Sequence, residues 1–270
     1  MKIGFMGAGN MASAIIRGML ASGFARPENI YATGRDQEKL KRFGKATRIN
    51  ACADNEELVE MSDVLILSIK PDMFETLLPP LARAVARKNP LVVSVAAGTS
   101  MEKISLLLGG VGTLPVVRVI PSINAEIGQS MTGICCNRIV SEEQTRYVFS
   151  LFDTLGKTMA IDESQFGVFS AVACASPAFV FMFIEALARG GLKGGLSMQD
   201  ALTAAAQAVM GSAQFVLECG EHPAVLMDRV TSPGGTTIAG VMALEENGLR
   251  ASVMRAVEAV GKRDAELLQK

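Results

Sequence analysis

The chain opens KIGFMGAGNMA, a run of β-forming residues that leads without a spacer into G-x-G-x-x-A at Gly7, Gly9 and Ala12, with a helical pattern following at once. A strand that turns straight into a helix needs a tight turn at Gly7 and an exposed backbone at Gly9. It also needs close strand–helix packing, which the small Ala12 allows. Such a turn is where a helix N-terminus meets a pyrophosphate, so it points to a dinucleotide site within a βαβ unit. The same residues also occur in ordinary glycine-rich turns. The weight comes from their place at the first strand-to-helix turn of an alternating chain.

Up to about residue 120 the runs KIGFM, NIYAT, DVLILSI, LVVSVAA and VVRVI read as strands, separated by helical patterns at residues 11–22, 37–43, 55–60, 73–87 and 100–108. Near-continuous apolar strands alternating with helices predict a parallel sheet covered on both faces. Apolar stretches at residues 131–136 and 158–161, with a helix over 141–155 between them, extend that sheet. Beyond residue 162 the β signals stop, and Ala, Leu and Met recur at helical spacing, broken near 190–197, 220–223 and 230–240. The expected fold is an α/β Rossmann-type dinucleotide-binding domain, residues 1–162, followed by an all-α domain, residues 163–270.

With 270 residues, 49% of them hydrophobic, the chain has ample core, and 26 Lys and Arg against 27 Asp and Glu leave a net charge of -1. No basic face advertises nucleic acid or acidic lipid. The five cysteines are odd in number and lack a CxxC, which fits reduced thiols in the cytoplasm. The vicinal Cys135 and Cys136 read as small hydrophobes on a strand rather than a redox pair. One histidine, His222, leaves little room for His-based zinc chemistry, and no metal is expected. Glycines and Arg17 interrupt the N-terminal apolar run, so it does not read as a signal peptide. The run VFSAVACASPAFVFMFI, residues 168–184, nearly matches a bilayer in length, yet it holds Pro177, runs into Glu185 and lacks Trp or Tyr anchors. It is expected to be buried in a protein core or a subunit interface, with no membrane partner.

NAD-specific sites place an acid at the end of the second strand, but NIYAT ends in Gly34 and Arg35. The arginine fork suits a 2′-phosphate, so NADPH is favoured, with NADH as the weaker alternative. Asp36 competes as an acid but also suits the N-cap of the next helix. Cofactor contacts are expected at Gly7, Ala8, Gly9, Asn10 and Met11 in the fingerprint and at Gly34, Arg35 and Asn55. At the carboxyl ends of DVLILSI and LVVSVAA, Ser68, Ile69, Lys70, Pro71, Ala96 and Ala97 are candidates to line the nicotinamide and ribose. Lys70 is a candidate general acid, a phosphate contact or a surface lysine. Near the C-terminus VTSPGGTTIAG, residues 230–240, offers flexible N–H groups and hydroxyls that can converge on a small anion. A glycine-rich turn whose hydroxyls cap helix ends is the plainer reading.

Across nearly its whole length the chain resembles pyrroline-5-carboxylate reductase, from IGFMGAGNMASAI through LILSIKPDMF and VVSVAAGTS to HPAVLMDRVTSPGGTTIAGVMALEENGLRASVMRAV. The resemblance implies NADPH-dependent reduction of a five-membered cyclic imine bearing a carboxylate, with the helical domain binding substrate and forming homodimers or larger rings by interlocked helices. It implies that the loop of one subunit meets the nicotinamide of its partner. Backbone N–H groups around Gly234, Gly235 and Thr236, with the Ser232 and Thr236 hydroxyls, would hold the carboxylate. Thr237 would bond the ring nitrogen or relay its proton, or else serve as a helix N-cap. Glu163 matches an acidic position of the family and is implied as a contact to the substrate amine; alone it reads as a first-turn helix acid. His222 reads as structural. The chain departs from the family's R-x-M-P-N-T-P at Ser122, Ile123 and Asn124, and from its G-S-G-P-A at Cys174, Ala175 and Ser176.

Two other readings compete. A β-hydroxyacid-type dehydrogenase needs a lysine on a core helix, and residues 164–191 contain none; Lys193 is the nearest. A non-catalytic NADPH sensor would bind cofactor without turning over an imine. The arginine assignment has its own consequence: Arg35→Ala costs about 1.5–3 kcal/mol of NADPH preference, the scale of a charge-assisted hydrogen bond. The ratio of kcat/KM with NADPH to that with NADH reads it directly, and an unchanged ratio removes Arg35 from the 2′-phosphate site.

Overall fold

The computed structural model describes residues 1–268. Eight strands form one sheet: β1 (Ile3–Met6), β2 (Ile30–Thr33), β3 (Asn50–Ala51), β4 (Val64–Leu67), β5 (Leu91–Ser94), β6 (Val116–Ile120), β7 (Ser130–Cys136) and β8 (Gly156–Ala160). Their order is β3-β2-β1-β4-β5-β6-β7-β8. The first six run parallel, β7 pairs antiparallel with β6, and β8 runs parallel to β7. The helices of this part are α1 (Asn10–Ala21), α2 (Gln37–Thr47), α3 (Asn55–Met61), α4 (Phe74–Leu77), α5 (Ala82–Lys88), α6 (Met101–Leu107), α7 (Glu142–Asp153) and α8 (Phe166–Phe169).

The chain forms two compact units, one of residues 1–174 with the stretch from residue 260 onward, the other of residues 175–259. In the first, side chains alternate across the sheet as the pleat dictates. Ile3, Phe5, Val64, Ile66 and Val93 join Ile15, Ile16, Met19, Val148 and Phe152 on one face. Met6, Leu65, Leu67 and Val92 meet Leu58, Val59, Phe74 and Ile104 on the other. Burial on both faces is what the continuous apolar runs required. Cys135 and Cys136 follow the same alternation, each packed against a different face, and burial raises both thiols above their ordinary pKa.

One local expectation is corrected. The single helix expected over residues 73–87 is broken by a 3₁₀ turn, Pro79–Leu81, into α4 and α5, because Pro79 and Pro80 have no N–H to continue the ladder. The two-residue β3 had no legible pattern. Elsewhere the caps fall where the sequence places them: Asp36 accepts from the Lys39 N–H, Asp54 from Glu57, and Ser100 from Lys103, while Ser141 and Gln144 form a capping box.

The second unit contains α9 (Ser176–Lys193), α10 (Met198–Cys219), α11 (Pro223–Arg229) and α12 (Thr236–Glu246), and α13 (Leu249–Leu268) runs from it into the first. Its buried cluster is small: Ala188, Ala201 and Ala205, with Ile184 and Met198 packed alongside. The apolar run at 168–184 is not buried within the chain's own core, for Phe181 is 56% and Met182 72% exposed. Residues 163–193 form a helix long and apolar enough to cross a membrane by length and composition. A π-helical stretch, Ser170–Ala175, precedes Pro177 in it. The missing proline N–H and the bulk of its ring disfavour a regular α-turn there.

Gly156 opens β8 at φ +145°, and a Cβ there would overlap the Ser130 backbone. Gly156→Ala therefore destabilises the folded protein by about 2–4 kcal/mol, from forbidden backbone plus a clash. Urea denaturation at fixed protein concentration measures it.

Candidate active site

The strand order reverses direction about β1, which lies between β2 and β4. At such a switch point the connections leave the carboxyl edge on opposite sides and open a crevice. A cleft of about 750 Å³ lies there, lined by Gly7, Ala8 and Gly9 after β1, Gly34 and Arg35 after β2, and Ser68, Ile69 and Lys70 after β4. Asn55 at the start of α3 also lines it. These expected cofactor contacts are brought together by the sheet. Asn10 instead lines a separate cavity of about 590 Å³ between α1 and the 3₁₀ turn Ile123–Ile127, and Met11, Pro71, Ala96 and Ala97 lie outside the lining of the cleft.

The glycines have distinct physical roles. Gly7 sits at φ +102°, and a Cβ there would come within 2.8 Å of the Ser68 carbonyl oxygen. Its N–H donates to Thr33 O at 3.1 Å, and the Ser68 hydroxyl reaches Met6 O at 3.0 Å and Gly7 O at 2.8 Å. The turn is thus tied to both neighbouring strand ends. A Cβ at Gly9 meets nothing within 4 Å, so the chain's own packing does not demand glycine there. Gly9 is also the N-cap of α1, which has no side-chain cap and no acid in its first turn. The first N–H groups of α1 therefore lack a side-chain acceptor and carry the positive end of the helix dipole. A glycine that packing does not require, at an uncapped helix N-terminus lining a cleft, fits a pyrophosphate.

Beyond β2 the Asp36 carboxylate accepts from the Lys39 N–H at 2.9 Å, while the Gln37 side chain donates to Gly34 O at 2.8 Å. Asp36 is thus engaged as the α2 cap, and Arg35 and Lys39 are the cations of this end of the cleft. Lys39 was passed over in the sequence because it reads as a surface lysine in the first turn of a helix. The Thr33 hydroxyl donates to the Asn55 side-chain oxygen at 2.7 Å, fixing the floor between them.

In the second unit Ser232, Gly234 and Gly235 lead into α12, which begins with Thr236 and Thr237. Gly234 has φ +67°, a Cβ at Gly235 would overlap the Ser232 hydroxyl, and the Gly235 N–H donates to Ser232 O at 3.0 Å. Gly235, not Thr237, is the N-cap, and no side chain caps the helix, which removes the capping alternative for Thr237. The Thr231 hydroxyl is engaged with Met227 O and Asp228 O. His222 caps α11, its Nδ1 accepting from the Ala224 N–H, as a structural histidine does.

Glu163 lies in the first unit, where its Oε1 accepts from the Met101 N–H at 2.8 Å and from Arg118 Nη1 at 2.9 Å. Arg118 was not singled out in the sequence. The signal was a lone charge inside VVRVI, where an apolar residue would complete the strand.

Residues 163–267 match the family described as pyrroline-5-carboxylate reductase dimerisation, and residues 2–98 match that described as NADP oxidoreductase coenzyme F420-dependent. Pyrroline-5-carboxylate reductase of Escherichia coli is 39% identical over 95% of this chain and 94% of its own. The structure of 1-pyrroline-5-carboxylate reductase from Streptococcus pyogenes superimposes with a TM-score of 0.88 at 37% identity, covering 98% of each chain. That of Plasmodium falciparum pyrroline carboxylate reductase with NADP bound gives 0.89 at 28% identity, over 99% of this chain and 98% of that one.

Gly9 separates binding from folding. Gly9→Ala leaves stability within about 1 kcal/mol, since the position is open and its φ is -77°, while NADPH affinity falls by about tenfold, roughly 1.4 kcal/mol. Gly7→Ala lowers both. Cofactor fluorescence titration beside thermal unfolding distinguishes the two effects.

Proposed function

The chain belongs to the pyrroline-5-carboxylate reductase family, and on that premise we propose that it reduces 1-pyrroline-5-carboxylate to proline with NADPH. The observation that carries the reading is the pair of glycine-built, uncapped helix N-termini, one at α1 and one at α12. A dinucleotide and a small carboxylate are the two anions such a reaction brings together. NADPH, when bound, supplies a hydride from its nicotinamide C4, which the imine carbon accepts. Gly7, Gly9 and the α1 N–H groups would hold the pyrophosphate, and Arg35 with Lys39 the 2′-phosphate, which favours NADPH over NADH.

A protonated imine is already a good electrophile, so the chain's residues mainly orient it. The N–H groups at Gly234, Gly235 and Thr236, with the Ser232 and Thr236 hydroxyls, receive the substrate carboxylate. The Thr237 hydroxyl, exposed in the first turn of α12 and not used as a cap, bonds the ring nitrogen and passes a proton to it through water. Glu163 stands as a substrate contact at the amine.

The helical domain, taken from residue 163, dimerises. Its exposed apolar side chains and meagre alanine core support burial against a second copy, and the match to a dimerisation family over residues 163–267 supports the same surface. Interlocked helices would bury Phe181 and Met182 against protein rather than lipid, and the loop of one subunit would meet the nicotinamide of its partner. A cytoplasmic location agrees with free thiols in all five cysteines.

The test is NADPH oxidation followed at 340 nm with 1-pyrroline-5-carboxylate, wild type beside Thr237→Ala. Wild-type turnover with a loss of about 100-fold in the variant, the scale of a lost proton-transfer group, supports both reaction and role. NADPH binding without imine turnover moves a non-catalytic sensor to the front.

A further inference from the structure

Arg118 is a charge where the sheet should be apolar. It stands on β6 opposite Ser94 of β5 and Cys135 of β7, and is 3% exposed. Its guanidinium lies 4.4 Å from the centroid of the Phe166 ring, its Nη1 donates to Glu163, and its Nε is buried without a hydrogen-bond partner. An ion buried with incomplete hydrogen bonding costs stability that a well-packed apolar residue of similar volume would not. Stability is therefore a poor account of why an arginine stands here.

What the arrangement produces is one fixed carboxylate oxygen. Glu163 Oε1 receives both Arg118 and the Met101 N–H, the first amide of α6. The Ser100 hydroxyl already accepts from the Lys103 N–H in the same turn. At the other end of the VAAGTS segment, the Val95 N–H donates to Leu67 O at 3.2 Å. The turn between residues 95 and 101 is thus clamped at both ends, on the carboxyl edge of the sheet. Without Arg118 the half-buried glutamate side chain would keep a single hydrogen bond, to the Met101 amide, and be freer to rotate away.

We propose that Arg118 is a positioning residue: by locking Glu163 onto the Met101 amide it fixes the turn that carries Ala96 and Ala97, and so sets the geometry of hydride transfer without touching either reactant. This rests on the reductase reading above and on the sequence expectation that Ala96 and Ala97, which follow β5 outside the lining of the cleft in the free chain, meet the nicotinamide when the cofactor is bound. The planar fork, rather than charge alone, is what holds the carboxylate oxygen in one place.

The experiment compares Arg118→Met, Arg118→Lys and Glu163→Gln with wild type in the full-length protein. It reads kcat and KM for the imine, NADPH affinity by fluorescence, and hydrogen exchange of the Met101 amide without cofactor. Arg118→Met is expected to lower kcat by about 10- to 100-fold, the effect of a small misplacement of reacting groups. NADPH affinity should stay within about threefold, and Met101 exchange should quicken at least about tenfold while amides of β4 keep their protection. Arg118→Lys should recover part of kcat and part of the protection. Should Arg118→Met not fold, Glu163→Gln serves in its place, with the same fall in kcat and the same faster Met101 exchange expected. The proposal is overturned if a folded Arg118→Met keeps kcat within about threefold, if Met101 protection is unchanged, or if Glu163→Gln alters KM alone. Wild type that binds NADPH but reduces no imine sinks the reductase reading and this role with it. An active wild type with an unaffected Arg118→Met sinks this inference alone.

Discussion

The first unit is organised around a helix N-terminus that the chain declines to cap. Of the longer helices that follow sheet strands, α2, α3, α6 and α7 each begin with a side chain that satisfies a backbone N–H, whereas α1 begins at Gly9 with none; the four-residue α4 and α8, each entered from a 3₁₀ turn, also lack one. The dipole of such a helix places roughly half an elementary charge at its start, and here that charge borders an open cleft. The parallel sheet makes this workable, because β1 lies at the reversal of strand order and its neighbours' loops draw apart. Gly7 then accepts a left-handed backbone so that the chain can leave the strand and enter the helix within three residues. Stability is given up locally, and the compensation comes from burial of Ile15, Ile16 and Met19 one turn further along the same helix.

The helical unit solves a different problem. Its sequence is as apolar as a core, but its buried cluster contains only small residues, and Met210, Phe215, Leu217 and Met254 stay exposed in a single chain. Apolar surface of that extent is stable in water only against another surface. Oligomerisation is therefore part of the fold rather than an addition to it. The same unit carries the second uncapped helix start, at Gly235, whose backbone angles any residue could adopt but where a Cβ would press on the Ser232 hydroxyl, while Gly234 before it takes the left-handed φ. The apolar excess and the uncapped helix start thus belong to different residues of one unit, the first to large exposed side chains and the second to glycines.

What could be read from the sequence was whatever is local. The fingerprint turn, the strands buried on both faces, Arg35 at the end of β2 and Asp36 as a cap each depend on neighbours within a few residues, and each appears in place. The break at Pro79 and Pro80 was visible but was outvoted by the helical spacing on either side. Residues 168–184 are left largely exposed by this chain's own core, and no periodicity encodes what covers them. Arg118 escaped for a similar reason: its meaning comes from Glu163, 45 residues away, and from Phe166 and the first amide of α6. For Thr237 the sequence left a capping role open beside the substrate contact, because three small or hydroxylated residues in succession offer several equally good caps; the cap falls two residues earlier, at Gly235.

The departures from the family pattern, distant in sequence, bear on one place in the fold. Ser122 is buried at the end of β6, where its N–H donates to the Ser130 hydroxyl, which in turn lies 2.9 Å from the Thr132 hydroxyl. The Cys174 thiol donates to the carbonyl oxygen of Ile120, two residues before Ser122. Burial pushes that thiol up to about 12, so it stays protonated and remains a donor at any pH near neutrality. Each departure thus places a small neutral group at the strand end, the Cys174 thiol on a backbone carbonyl and the Ser122 hydroxyl beside that of Ser130, and neither introduces a charge there. Arg118 precedes this strand end by two residues, so its buried cation faces no new competing anion from either change. The clamp that the arginine forms with Glu163 and the altered strand end beside it are therefore electrostatically compatible, and the departures leave the charge pattern of the site as it would be without them.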